Sequence, residues 1–157
     1  GESKSSARKQ NGHIQLLTFK LDDQEYALDI ANVVQVVRMV AITRAPKAVE
    51  ALEGMINLRG KVIPVIDIRK RCGLETKPHD INTQLLIAQI NGHVAALTVD
   101  VVSEVLTMPT ANIEPTDAIG AEMEFLTSVG KLGDRLILIL DLKQVMIENT
   151  ASKVDLN

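Results

Sequence analysis

The stretch GMINLRGKVIPVIDI, residues 54–68, recurs in altered form as SVGKLGDRLILILDL, residues 128–142, at a shift of 128 − 54 = 74. Both segments carry a glycine-bearing turn, then a basic residue (Lys61 or Arg135), five apolar or proline positions and an aspartate (Asp67 or Asp141). A second pair, LDIANVVQVV (28–37) and LTVDVVSEVL (97–106), superposes its apolar positions at a shift of 97 − 28 = 69. The same supersecondary unit is therefore written twice. One such unit alone would have a thin core, so the economical architecture is two small barrels packed side by side.

Composition agrees with a mainly β interior. Apolar residues make up 46% of the 157-residue chain, yet it has no Trp, one Tyr and two Phe, so the core must be built from Val, Ile, Leu, Ala and Met. Branched Val and Ile pack well on a pleated surface and lose rotamer freedom in a helix. The net charge of −3 opposes nucleic-acid binding, which favours a basic surface with stacking aromatics. A single cysteine, Cys72, offers no internal disulfide. No apolar run approaches the ~18 residues of a membrane-spanning helix, and the start of the chain lacks the order of a signal peptide, which gives a cytoplasmic expectation.

Along the chain, residues 1–12 read as a disordered polar tail, 13–82 as a first barrel, 83–149 as a second barrel with a closing helix, and 150–157 as a second polar tail. Strands are expected over His13–Leu21, Glu25–Ile30, Val33–Val40, Met55–Leu58 and Lys61–Asp67, with Arg59 and Gly60 at the tip of the last hairpin. Residues 43–53 contain Pro46 and suggest a helix-like turn; 75–82 form a polar connection.

Catalytic and metal-binding motifs are missing from the sequence. His13, His79 and His93 are scattered without metal-ligand spacing. There is no phosphate-binding glycine loop, dinucleotide fingerprint or nucleophile elbow, so no cofactor is expected. Asp67 and Asp141 could be imagined as paired carboxylates, but pseudo-symmetry separates them, and each reads better as a helix N-cap closing a strand. Cys72 beside Arg71 could be an activated thiol, but reads better as a small buried hydrophobe. What remains is surface: hairpin tips and Val-rich strands, which suit protein binding.

Four blocks in order, FKLDDQEYALDIANVVQVV (19–37), EGMINLRGKVIPVIDIR (53–69), LTVDVVSEVL (97–106) and FLTSVGKLGDRLILILDL (125–142), resemble the CheW-type chemotaxis coupling proteins. The resemblance implies two five-stranded SH3-like barrels around a shared hydrophobic core, with short helices including a C-terminal one, and no catalytic activity. It implies two partners, the regulatory domain of the histidine kinase CheA and the cytoplasmic tip of methyl-accepting chemoreceptors, with recruitment to membrane-associated arrays. The alternative it leaves open is a CheW-like interaction domain excised from a larger signalling protein, such as a CheV-type adaptor or a pole-organising protein.

Carried over by motif, the resemblance places Val33, Gln35, Gly54, Asn57 and Arg59 on the receptor side, and Ile42, Ala96, Val102 and Ser128 on the kinase side. The family commonly has an acidic residue at Gln35, which is expected here to prop Arg59 by a hydrogen bond without a charge. Ala96 and Ser128 stand where the family often has glycine. Each candidate also has a plain reading: Val33 and Val102 as core valines, Gly54 as a backbone requirement. Arg59 is set apart, because a turn calls for Gly, Asn or Asp.

Overall fold

The computed structural model describes residues 12–44, 51–119 and 124–146. Twelve strands follow one another in this span: β1 (His13–Leu21), β2 (Gln24–Asp29), β3 (Val33–Arg38), β4 (Thr43–Arg44), β5 (Leu52–Leu58), β6 (Lys61–Ile66), β7 (Gln84–Ile90), β8 (His93–Val99), β9 (Val101–Pro109), β10 (Ile113–Pro115), β11 (Leu126–Leu132) and β12 (Arg135–Leu140). A one-turn helix, α1 (Ile68–Arg71), follows β6, and a helical turn over 142–146 follows β12. The expected helix-like turn over 43–53 is replaced at both ends by strand, and its centre, 45–50, lies outside the described residues, as do 1–11 and 147–157.

The strands form two sheets, ordered β3-β7-β8-β6-β5-β4 and β9-β1-β2-β12-β11-β10. Each has five strands of six to nine residues and one short edge strand. This corrects the division expected at residue 82: β7 and β8 complete the first sheet, while β1 and β2 complete the second. The physical reason lies in the pairing. The leading hairpin of each repeat crosses over and docks in parallel beside the other repeat's strand, Val65 and Ile66 opposite Ala96 and Leu97, and Ile137–Ile139 opposite Glu25–Ala27. The two repeats thus exchange hairpins.

That exchange explains why LLIA (85–88) and AALTV (95–99) read as nearly continuous buried runs, since these strands are covered on both faces. Alternate residues of one strand enter different cores. Leu17, Phe19, Tyr26, Leu28, Leu86, Leu97 and Leu140 fill a core shared between the sheets. Leu16, Ala27, Met108 and Ile137 fill the inside of the second sheet, and Ile56, Val65, Leu85, Ile87 and Ala96 the inside of the first. Phe19 and Tyr26 stack with centroids 5.9 Å apart, and each fully buried large side chain contributes on the order of 1.5–3 kcal/mol.

The repeat is confirmed down to its caps. The N–H of Asp67 donates to the Ala51 carbonyl at 2.8 Å, and the N–H of Asp141, 74 residues on, donates to the Phe125 carbonyl at 2.7 Å (51 + 74 = 125). The Asp67 carboxylate accepts from the N–H of Arg69 and Lys70, and that of Asp141 from Gln144. Both aspartates are helix caps.

Candidate functional site

The tip of the β5–β6 hairpin is a two-residue connection, Arg59–Gly60, closed by the Leu58–Lys61 pair. Both tip residues are left-handed, Arg59 at φ 54° and Gly60 at φ 84°. Asn57 Oδ1 accepts the Gly60 N–H at 2.9 Å and fixes the turn from below. Arg59 is exposed, and among the described residues its guanidinium has no hydrogen-bond or ion-pair partner. The expected prop from Gln35 is not formed: Gln35 lies on β3 opposite Ile87 and is not bonded to Arg59. A guanidinium with five donors and no internal acceptor is free to meet a partner's carboxylates or carbonyls.

Gly54 sits on β5, buried, with ordinary backbone angles. Its need is space rather than conformation: a Cβ there would stand 2.2 Å from the Thr43 carbonyl oxygen and 2.7 Å from Ile42 Cγ2. Ile42 is half-buried and packs on the first sheet's inner core, so Gly54 and Ile42 are brought together as one seam between β4 and β5.

Val33 and Val102 occupy equivalent places on β3 and β9 (33 + 69 = 102), the edge strands of the two sheets, half-buried against the shared core. A register shift follows each, leaving Val34 and Ser103 as the extra residues. The second irregularity is satisfied by buried Thr18, whose hydroxyl donates to the Glu104 carbonyl at 3.1 Å. Bulges of this kind bend an edge strand and re-aim its side chains. Around them Val34, Val101 and Val105 are exposed, so both edges present apolar surface.

Ala96 is corrected as a contact residue. It is 0% exposed, wedged in the parallel seam opposite Val65, and reaches a partner only through packing. Ser128, the counterpart of Gly54, is half-buried on β11; its hydroxyl bonds with that of Thr127 at 3.0 Å. It lines a cleft of about 500 Å³ walled by Ile14, Ile113, Ile139 and Leu142, with Asp141 and Lys143 at its polar side.

Three ionic clusters escaped the sequence reading. Arg135 donates to both Glu25 oxygens at 2.7 and 3.0 Å and to Glu104 at 2.9 Å, and the bond from Arg135 holds the Glu25 carboxyl below its usual range against the opposing effect of burial. Arg69 bridges Asp22 and Asp100. Glu53 meets Arg44 at 3.2 Å and His79. Only the basic character of Arg135 in the repeat hinted at the first; the pairings of Arg135 and Arg69 span 31 to 110 residues and leave no local signature.

Chemically the site is a set of surfaces. Among the described residues no three His, Cys, Asp or Glu side chains gather as metal ligands. Burial pushes the Cys72 thiol up to about 11, which leaves the thiolate scarce at neutral pH and fits a packing role against the shared core. No described helix is long and apolar enough to cross a membrane.

A CheW-like domain model matches residues 15–149. The chain belongs to the CheW-like domain family. It is 32% identical to the chemotaxis protein CheW of Rhizobium meliloti over 137 residues, covering 86% of this chain and 88% of that one. Against the chemotaxis protein CheW of Klebsiella aerogenes the identity is 29% over 143 residues, with 90% and 86% covered. The solved scaffolding protein TtCheW of Thermoanaerobacter tengcongensis superposes with a TM-score of 0.75 at 37% identity, over 82% of this chain and 88% of that one. The two sheets with their inner cores are accordingly two SH3-like barrels.

Proposed function

We propose that this chain is a non-enzymatic chemotaxis scaffold that couples methyl-accepting chemoreceptors to the regulatory domain of the histidine kinase CheA in arrays at the cytoplasmic face of the membrane. The observation that carries this reading is the unpartnered, left-handed Arg59 at the tip of the first barrel, within an N-L-R-G motif of the family. The receptor side comprises Arg59, Asn57 as the residue that fixes its turn, Gly54 as the residue that seats the hairpin, and Val33 and Gln35 on the adjoining edge strand. Ile42, Val102 and Ser128 serve the kinase side. The exposed valines of both edge strands give apolar contact area beside the tip, and membership in a family of scaffolds supports binding without catalysis.

The test is Arg59→Ala in a reconstituted receptor–kinase assembly. Receptor-dependent kinase activation should fall at least about tenfold, or roughly 1.4 kcal/mol of coupling, with circular dichroism unchanged. Arg59→Lys should restore only part, because an ammonium keeps charge but loses the fork. Full activation by Arg59→Ala would reduce Arg59 to a solvated turn residue.

A further inference from the structure

The chain passes between the barrels at two equivalent crossovers: from β2 to β3 through the 3-10 turn Ile30–Asn32, and from β8 to β9 through Asp100. Their surroundings differ. At the second crossover Arg69, rising from α1 of the first barrel with its side chain only 9% exposed, donates to Asp100 Oδ2 at 2.7 Å. It also donates to Asp22 at 2.8 and 3.3 Å, and Asp22 is the tip of the β1–β2 hairpin in the second barrel. Asp22 closes the triangle by donating its own N–H to Asp100 Oδ2 at 2.7 Å, and Asp100 donates its N–H to the Lys20 carbonyl at 3.1 Å. Lys77, 3.6 Å from Asp100, and the Glu75 carbonyl, which accepts from Arg69 at 3.3 Å, cover the cluster with the 75–82 connection.

The first crossover has the same backbone plan without this three-residue cluster. The counterparts of Arg69, Asp22 and Asp100 are Lys143 (69 + 74), Asn91 (22 + 69) and Ala31 (100 − 69). No carboxylate stands at either partner position, and Lys143 lies at the open cleft that Asp29, Asn32 and Ile90 also line. The arginine–aspartate triangle is therefore written at one crossover and not at the other.

We infer that Arg69 is a positioning residue: its bonds to Asp22 and Asp100 fix the angle between the two barrels, and so transmit force between partners held on different barrels, without touching either partner. This rests on the coupling reading above. The shared apolar core holds the barrels together without specifying one angle, and a side chain that joins one barrel's helix, the other barrel's hairpin and the crossover between them narrows the angles that core allows. Surfaces some distance away, such as the Arg59 tip and the Ser128 cleft, keep their own packing when it is lost.

The direct test is the free protein with spin labels at Lys61→Cys and Asp134→Cys, on the two hairpin tips, in a Cys72→Ala background. Pulsed dipolar spectroscopy should give a narrow tip-to-tip distance distribution that broadens in Arg69→Met and narrows again in part in Arg69→Lys. An unchanged distribution overturns the clamp whatever the protein binds, so this arm is independent of the function assigned. In the second arm, Arg69→Met should keep receptor-fragment and kinase-domain affinities within about twofold while receptor-dependent activation falls at least about fivefold, the lower range of allosteric coupling. Because Arg69→Met strands two carboxylates, a triple variant, Asp22→Asn, Arg69→Met and Asp100→Asn, removes all three charges. It should regain thermal stability yet remain uncoupled. Recovery of coupling together with stability would show that Arg69 serves the fold alone.

Discussion

The two β-hairpin tips made by the repeat are built on one plan and used in opposite ways. In the second barrel the left-handed position goes to Gly133, at φ 60°, and the basic residue beside it, Arg135, is neutralised by Glu25 and Glu104. In the first barrel both tip residues are left-handed, Arg59 where the second barrel has Gly133 and Gly60 after it, and neither Arg59 nor Lys61 has an ion-pair partner among the described residues. The acid that would answer is also gone: Gln35 is the counterpart of Glu104 (35 + 69 = 104). Where a fold spends its cations on itself the tip is structural; where it leaves them unsatisfied on a less favourable backbone, the tip is available to a partner.

The largest difference should appear at the seams beneath the tips. Gly54→Ala forces a Cβ to within 2.2 Å of a backbone oxygen that β4 holds in place, while Ser128, its counterpart, already carries one. Overpacking of this kind costs about 3 kcal/mol. Urea unfolding should show Gly54→Ala losing that amount and Ser128→Ala less than about 0.5 kcal/mol. Equal losses would mean the two seams are not the distinct packings described. If Gly54→Ala also weakens receptor binding, the structure assigns that to the fold, through displacement of Ile42 and Thr43.

Much of this was legible in the sequence. β1 and the β5–β6 hairpin with its tip are where alternation and turn residues place them, and Asp67 and Asp141 are the caps that their positions before helical turns predict. The hairpin exchange was not legible, because Val65 opposite Ala96 is a parallel contact between apolar strands, and apolarity names a buried face without naming its neighbour. For the same reason Val33 and Val102 read equally as core or surface, and they are half of each. Ala96 shows the limit of a motif: the position matters to the seam, but nothing outside can reach it. Arg59 was singled out because a turn calls for Gly, Asn or Asp; its left-handed backbone and the unformed Gln35 bond appear only in three dimensions.

A smaller effect should separate the two basic residues that follow the tips. The folded-state pKa of Glu25 is lowered, chiefly by its bond from Arg135, so the pair stabilises the fold above the ordinary carboxylate range of about 4 and ceases to do so as pH falls through the folded value. Arg135→Met should therefore lower stability at neutral pH and make the decline from pH 5 to pH 2 shallower. Arg135 is 38% exposed and water screens it, so the loss should be about 1 kcal/mol. Lys61→Met, at the counterpart position, should leave both the neutral value and the acid limb unchanged within about 0.5 kcal/mol. Parallel acid-unfolding curves for wild type and Arg135→Met would contradict the locked tip.

The smallest shift in stability is also the sharpest test, because its sign runs against the usual effect of mutation. A left-handed backbone costs a branched or long side chain roughly 1–2 kcal/mol relative to glycine, and asparagine tolerates it better than most. The β7–β8 connection uses that solution, with Asn91 at φ 51° followed by Gly92 at φ 80°. Arg59→Asn copies it into the first-barrel tip, and should stabilise the fold by up to about 1 kcal/mol, or roughly 2–4 °C in a domain of this size. Gly133→Ala, at the equivalent tip, should move the midpoint down by a similar amount. The stabilised Arg59→Asn protein should nonetheless fail to couple receptor to kinase, since the amide lacks the charge and reach of the guanidinium. A fall in midpoint on Arg59→Asn would mean that the guanidinium is already engaged within the barrel, and the contrast between a locked tip and a free one would not hold.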